Sequence, residues 1–394
     1  MIVKIDKLSH DMRGITRIDN KVTFIDNTLP GEVVNIKLTK QKKDINEGRV
    51  LSFIEQSLDR VKPICPYYNV CGGCNISHID YLKSVMYKKE IVKDIIKKYS
   101  DLDINPDIIY DNNIYNYRNK ITLKINNGKL SLVGENKVNI DYCYLVNDNI
   151  NKIIQLLNGT HLELVDEVII KGTNEIMVII NGTVDEKEVI DILRDDVTSI
   201  IVNDNKIYGK DYITIKVKDY IYAIYPNSFF QVNTGMISKL YDKVLEYAGY
   251  GRLLLDLYCG AGTIGIYLSQ NFSRIIGIEV NKDAVASANI NKKINGINNI
   301  EFTCNKSSDI EIIGDVLIVD PPRNGLDKIT INKIINSSIN KIVYVSCNPI
   351  TLARDLKVLK EKYDLDEMTL FDMFPNTNHV ECVCLLKLKW SLIF

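Results

Sequence analysis

Neither sign of charge is in excess in this chain. Lys+Arg 49 faces Asp+Glu 50, a formal net charge of -1 over 394 residues. That excludes a globally basic nucleic-acid binder, though not local basic patches. No apolar run approaches the roughly 20 residues needed to cross a bilayer. Met1-Ile2-Val3-Lys4-Ile5-Asp6 carries charge too early for the apolar core of a secretory leader. There is no internal repeat and no low-complexity tract. A cytoplasmic, reducing setting away from membranes is therefore expected, where the 9 cysteines read as metal ligands or nucleophiles and not as disulfides. With 46% apolar and 25% charged residues the mix is that of a globular protein, too long for one core.

The expected architecture is multidomain. Over residues 1–57, Lys21-Val22-Thr23-Phe24-Ile25 and Val33-Val34-Asn35-Ile36-Lys37-Leu38 flank the turn Leu29-Pro30-Gly31-Glu32. Short strands so spaced predict an OB-like β-barrel. Lys37, Lys40, Lys42, Lys43 and Arg49 cluster there. A second basic cluster, Lys83, Lys88, Lys89, Lys93, Lys97 and Lys98, falls on a helix expected over 79–98. Residues 58–225 read as a middle α/β region. Its Asn127-Gly128 predicts a hairpin, and runs at 167–170, 176–180, 200–203, 213–217 and 221–224 predict an antiparallel sheet around a helix near 186–193. From 226 to 394, apolar runs at 253–257, 275–278, 316–319 and 342–345 alternate with helical stretches. That is the pattern of a parallel sheet covered on both faces, a Rossmann-like α/β domain.

The carboxyl ends of these last strands carry the chemistry. Asp256-Leu257-Tyr258-Cys259-Gly260-Ala261-Gly262-Thr263-Ile264-Gly265 passes from strand through Gly-rich turn to helix, where a ligand approaches bare backbone. Dinucleotides use such turns too. Glu279, ending the next strand, suits the hydroxyls of an adenosyl ribose. Together with Asp320-Pro321-Pro322-Arg323 the set points to S-adenosylmethionine over NAD. Asn281 is the expected cap of the following helix. Asp at 320, where amino-methyltransferases often have Asn, weakens an N-methylation reading. In Ser346-Cys347-Asn348-Pro349, Cys347 sits between a buried strand and a helix opened by Pro349, where a thiolate is favoured, so it reads as a nucleophile. Glu381, starting the last strand in His379-Val380-Glu381, would meet the same sheet edge as a general base. His379 would position.

Cys65, Cys71 and Cys74 form C-x5-C-x2-C, a spacing open to Zn²⁺ or to an iron–sulfur cluster. Cys259, Cys304, Cys382 and Cys384 are expected to pack.

Taken with Asn227-Ser228-Phe229-Phe230-Gln231-Val232-Asn233, these motifs resemble the uracil-C5 RNA methyltransferase family over nearly the whole chain. The resemblance implies a class I methyltransferase domain with donor contacts from Gln231, Tyr258, Glu279 and Asp320. Thr263 stands where members often carry Asn. It implies attack of Cys347 on uracil C6 and removal of the C5 proton by Glu381. The target uridine would be flipped from its stack, with Phe229 or Phe230 as a stacking face. Cys143, in Asp141-Tyr142-Cys143, becomes the fourth ligand of a [4Fe–4S] cluster, favoured over zinc and serving as a staple. The N-terminal segment resembles a TRAM domain. With the cluster, this implies the 23S ribosomal RNA branch, a 5-methyluridine product and no obligate protein partner. Three other readings stay open: a tRNA uracil-C5 methyltransferase, a radical S-adenosylmethionine enzyme, and a non-catalytic RNA-binding protein.

Overall fold

Alternating burial builds the first sheet. Every second residue of Gly14–Ile18 is buried, and the same alternation opens Val33–Gln41 and Ile45–Glu55. The computed structural model describes residues 1–133 and 137–389. In it six strands pair in the order Ile2–Lys4, Val33–Gln41, Ile45–Glu55, Lys21–Ile25, Gly14–Ile18, Lys7–Leu8. The two outermost strands are neighbours in the chain. Between them the backbone of Ile5 bonds Gly31 and Glu32 on one side, and Asp6 bonds Ile15 on the other. The sheet is thereby curled around Ile5, Ile18, Ile25, Val34 and Ile36.

A second sheet runs Lys137–Asn139, Lys129–Val133, Lys120–Asn126, Val165–Gly172, Ile176–Gly182, Ser199–Val202, Asn205–Gly209. Its neighbours are antiparallel, except that Ile176–Gly182 and Ser199–Val202 run parallel across helix Glu186–Leu193. Asn127 and Gly128 both take positive φ at the expected hairpin.

The third sheet has the order Ile300–Cys304, Phe272–Glu279, Gly251–Leu257, Val316–Val319, Lys341–Ser346, Glu381–Leu388, Tyr363–Phe371, Asp107–Ile109. The first five strands are parallel; four of them are the apolar runs expected at 253–257, 275–278, 316–319 and 342–345, and Ile300–Cys304, which alternates in burial, adds the edge. The sheet as a whole is mixed, because Glu381–Leu388 lies antiparallel to both its neighbours. The chain returns from Tyr363–Phe371 through a loop without a crossover helix, and such a return can only be antiparallel.

Two pieces of this layer come from far upstream. Asp107–Ile109 pairs parallel with Tyr363–Phe371. Helix Tyr81–Ser100, capped by Asp80, packs on helix Pro349–Leu359 and gives Val92, Ile95 and Ile96 to the same core. This corrects the basic-face expectation at one position. Lys88 is on the buried stripe with Ser84, Val85 and Val92, only 1% exposed, and pairs with Asp372 at 2.6 Å. Charge counting along a helix does not say which lysine points inward. Among the described residues, no helix is long and apolar enough to cross a membrane.

Candidate active site

The Gly-rich turn is shaped by three consecutive demands on the backbone. Tyr258, Gly260 and Gly262 take φ of 62, 53 and 76°. A Cβ at Gly262 would lie 2.5 Å from Phe302, so close packing against that ring requires glycine, whereas one at Gly260 would meet nothing. The open backbone of Gly260 is what a ligand needs. Its N–H donates to Glu279 Oε2 at 3.1 Å, and Asn281 N–H donates to Glu279 Oε1 at 2.9 Å. Asn281 is the cap of helix Lys282–Ile294, accepting from Asp283 and Ala284. Glu279 is therefore tied to the turn and not spent on the helix.

Gln231, Tyr258, Glu279, Asp320, Cys347 and Glu381 all border one cavity of about 1120 Å³. Residues separated by 150 positions in sequence are thus gathered at the carboxyl edge of the parallel strands. Asn348 caps helix Pro349–Leu359 by accepting from Ile350 N–H at 3.1 Å, and its amide donates to Arg323 O at 3.0 Å. That bond joins the Cys347 turn to the Asp-Pro-Pro-Arg turn.

The protonation state differs from the sequence expectation. Cys347 stands before the cap, and burial, with Glu381 and Asp320 beside it, pushes its thiol up to about 11 against the pull of Arg323. Burial beside two carboxyls outweighs the helix start. Burial lifts Asp320 to about 7 and, with Asp320 nearby, raises Glu381 well above the carboxylate range. Asp256, beneath the turn, is lifted to about 8 by burial and then by Asp320. Burial thus favours the protonated forms of all four groups. A cation placed within the site would release those protons.

Several contributors were not legible beforehand. Phe230 is buried at 7% and packs on Tyr222, while Phe229 is 74% exposed at the cavity rim. The two phenylalanines thus divide into core and surface. Thr263 Oγ1 accepts from Tyr241 O–H at 2.8 Å. His379 sits edge-on to Phe374, ring centroids 6.0 Å apart, and burial with nearby Arg323 lowers its pKa. The loop 372–380, which leads to Glu381, is held from outside the catalytic sheet. Lys88 Nζ donates to Asp372 and to Phe374 O, Asn233 to Met373 O, and Tyr117 O–H to Pro375 O. Asn75 and Asn378 exchange two bonds of 2.9 Å each. These partners lie some 140 to 300 residues from the loop, and only Asn233 fell within a motif.

Cys65, Cys71, Cys74 and Cys143 border a second cavity of about 370 Å³, and all are free thiols. Among the described residues, no three His, Cys, Asp or Glu side chains converge as ligands of one metal ion. Burial first, and the neighbouring thiols next, push Cys74 up to about 12; burial also raises Cys65 and Cys143. Arg118 and Lys120 border the same space, and Phe229 and Phe230 border both cavities. Of the four cysteines expected to pack, Cys259, Cys382 and Cys384 are buried, but Cys304 ends an edge strand and is exposed.

Comparison with known proteins decides the family. The tRNA (uracil-5-)-methyltransferase family matches residues 181–312 and 305–389, and the TRAM domain matches residues 1–51. An RNA methyltransferase of Clostridium acetobutylicum is 34% identical across 98% of this chain and 96% of its own. The chain belongs to the RNA uracil-5 methyltransferase family. Another RNA methyltransferase, from Clostridium tetani, is 35% identical over 95% of this chain and 93% of its own. Among solved structures, the tRNA (uracil-54, C5)-methyltransferase of Pyrococcus abyssi, in complex with S-adenosyl-L-homocysteine, is 27% identical. It superposes with a TM-score of 0.82 over 98% of this chain and 100% of that one. As a uracil-5 methyltransferase the chain depends on S-adenosylmethionine, and the open Gly260 backbone beside Glu279 fits an adenosyl donor.

Proposed function

We propose that this chain methylates C5 of a flipped uridine in 23S ribosomal RNA, in the cytoplasm. The observation that carries the reading is that Cys347 and Glu381 border the same cavity as the glycine turn and Glu279. Gln231, Tyr258, Glu279 and Asp320 hold the donor. Bound there, S-adenosylmethionine supplies a sulfonium-activated methyl and a positive charge. Uracil C5 is a poor nucleophile, so the Cys347 thiolate adds to C6 and delivers an electron pair to the ring, which makes C5 able to accept the methyl. Glu381, as carboxylate, takes the C5 proton, and the C6–S bond breaks to return Cys347. Exposed Phe229 offers a stacking face for RNA, while Phe230 serves the core. The curled N-terminal sheet is read as an OB-like barrel that grips RNA backbone.

Cys65, Cys71, Cys74 and Cys143 would hold a [4Fe–4S] cluster. The four thiols border one cavity, and three close cysteines with a distant fourth is the spacing of ferredoxin-type ligation more than of a zinc ribbon. It would act as a staple, since no step above needs an electron. A radical reaction would need the donor on the cluster, yet the four cysteines and the donor residues border different cavities. A tRNA substrate is the second reading, favoured by the likeness to the Pyrococcus abyssi tRNA enzyme. Mass-spectrometric mapping of 5-methyluridine in a deletion strain separates them. Loss from 23S ribosomal RNA supports the first reading; intact ribosomal RNA with altered tRNA overturns it.

A further inference from the structure

Cys347 borders two cavities whose linings differ in their acidic residues. The larger one, at about 1120 Å³, is bordered by Asp204, Glu279, Asp283, Asp320 and Glu381, with Arg323 the sole Lys or Arg side chain. That lining suits a cationic donor. A second cavity that borders Cys347, of about 260 Å³, is lined by His10, Lys88, Arg323 and His379, with no Asp or Glu among its described lining residues. Arg323, Cys347 and His379 are common to both.

Three separate parts of the chain build the smaller cavity. His10 and Met12 come from the turn before Gly14–Ile18 in the N-terminal sheet. That turn is fixed by Ser9 and Arg13, whose backbones bond at 2.8 Å while Ser9 Oγ donates to Arg13 O. Met12 is packed with Leu29, Ile76 and Ile79. Helix Tyr81–Ser100 supplies Lys88 and an apolar floor of Ile91, Val92 and Ile95. Lys88 is engaged with Asp372, but the exposed Arg323 guanidinium has no hydrogen-bond or ion-pair partner among the described residues. The first turn of helix Pro349–Leu359 borders the cavity as well and adds its positive end.

We propose that this second cavity seats a nucleotide of the RNA next to the target uridine. Its phosphodiester lies against Arg323 and the His10 ring, and its sugar and base lie on the apolar floor. The inference rests on the reading of Cys347 as the nucleophile that meets RNA. It gives the N-terminal domain a direct part in the active site, through His10, beyond a general hold on RNA backbone. The target uridine then meets the donor in the larger cavity, while its neighbour is held in the smaller one beside Arg323 and His10.

The test measures binding of unmodified 23S ribosomal RNA and bulk tRNA transcripts across a salt series, for the parent chain, Arg323→Gln and His10→Ala. Both replaced side chains are exposed, so the fold is retained. Loss of one phosphate contact should lower the slope of log K against log salt by about 0.7 to 0.9. Arg323→Gln should weaken binding of whichever unmodified transcript the parent chain methylates roughly tenfold at low salt, with a smaller loss for His10→Ala. Binding of S-adenosyl-L-homocysteine should not weaken in His10→Ala, since His10 lies outside the donor cavity. Parent slope and parent affinity in both variants, with parent methylation intact, would overturn the second cavity alone. A parent chain that forms no 5-methyluridine in either transcript would overturn the proposed function itself.

Discussion

The two cavities that Phe229 and Phe230 border both hold partly buried thiols, yet their surroundings differ in kind. Around Cys347 stand two carboxyls and one guanidinium, and the thiol sits at about 11. Around Cys74 stand three other thiols, and burial pushes it to about 12. In the first case a single cation beside a single nucleophile suffices to free the thiolate. In the second, neighbouring thiols add to the effect of burial, and the proposed cluster would compensate them together. On the proposed reading each site is completed by positive charge of a different form.

Several measurements break or sharpen that contrast. Cys347→Ala should lower 5-methyluridine formation by more than about a thousandfold, because no other group forms the C6 bond. Mass spectrometry of methylated transcript checks it, and a variant as active as the parent would end the covalent mechanism. Glu381→Gln should slow turnover by roughly a hundredfold or more. It should also trap protein joined to RNA through Cys347, visible on denaturing gels, since methyl arrives but the C5 proton stays. Absence of the trapped species would remove Glu381 as base.

Cys74→Ala should abolish bound iron and sulfide while costing less activity than either catalytic change. Iron analysis and visible absorbance read the cluster, and equal metal content in the variant would exclude this thiol as ligand. Asn75 touches both regions, next to Cys74 in sequence and bonded twice to Asn378. Asn75→Ala should cost about 1–2 kcal/mol of stability and slow turnover several-fold with little change in donor binding. Thermal unfolding and a split of kcat from KM test it.

The smallest expected effect concerns charge at Cys347. Without donor, alkylation by iodoacetamide should climb about tenfold per pH unit from pH 7 toward the thiol value near 11. Above about pH 7 Asp320 is ionised and opposes the thiolate. Asp320→Asn should therefore alkylate severalfold faster at pH 9 and no differently at pH 6, where the acid is already protonated. The opposite sign at pH 9 would mean that Asp320 does not face the thiol.

The ends of the parallel strands were legible because each had a long apolar run before it and a rigid or Gly-rich turn after it. Glu279, Asp320 and Cys347 could be put at one sheet edge on that basis alone. Helix Glu186–Leu193 and the hairpin at Asn127 were likewise local signals. Asp107–Ile109 was not legible, since three residues carry no periodicity. The antiparallel direction of Glu381–Leu388 was hidden too, because burial on both faces looks the same in either direction.

The sequence by itself determined which residue types meet at the carboxyl edge, since strand period and turn chemistry are short-range properties of the chain. The tertiary structure alone decided their protonation, because burial and the approach of Glu381 and Asp320 to Cys347 are set by distant segments. It alone turned Lys88 inward, divided Phe229 from Phe230, and brought a turn of the N-terminal sheet to a cavity that Cys347 borders. Those outcomes depend on which surfaces are excluded from water, and that is settled only when all the layers pack.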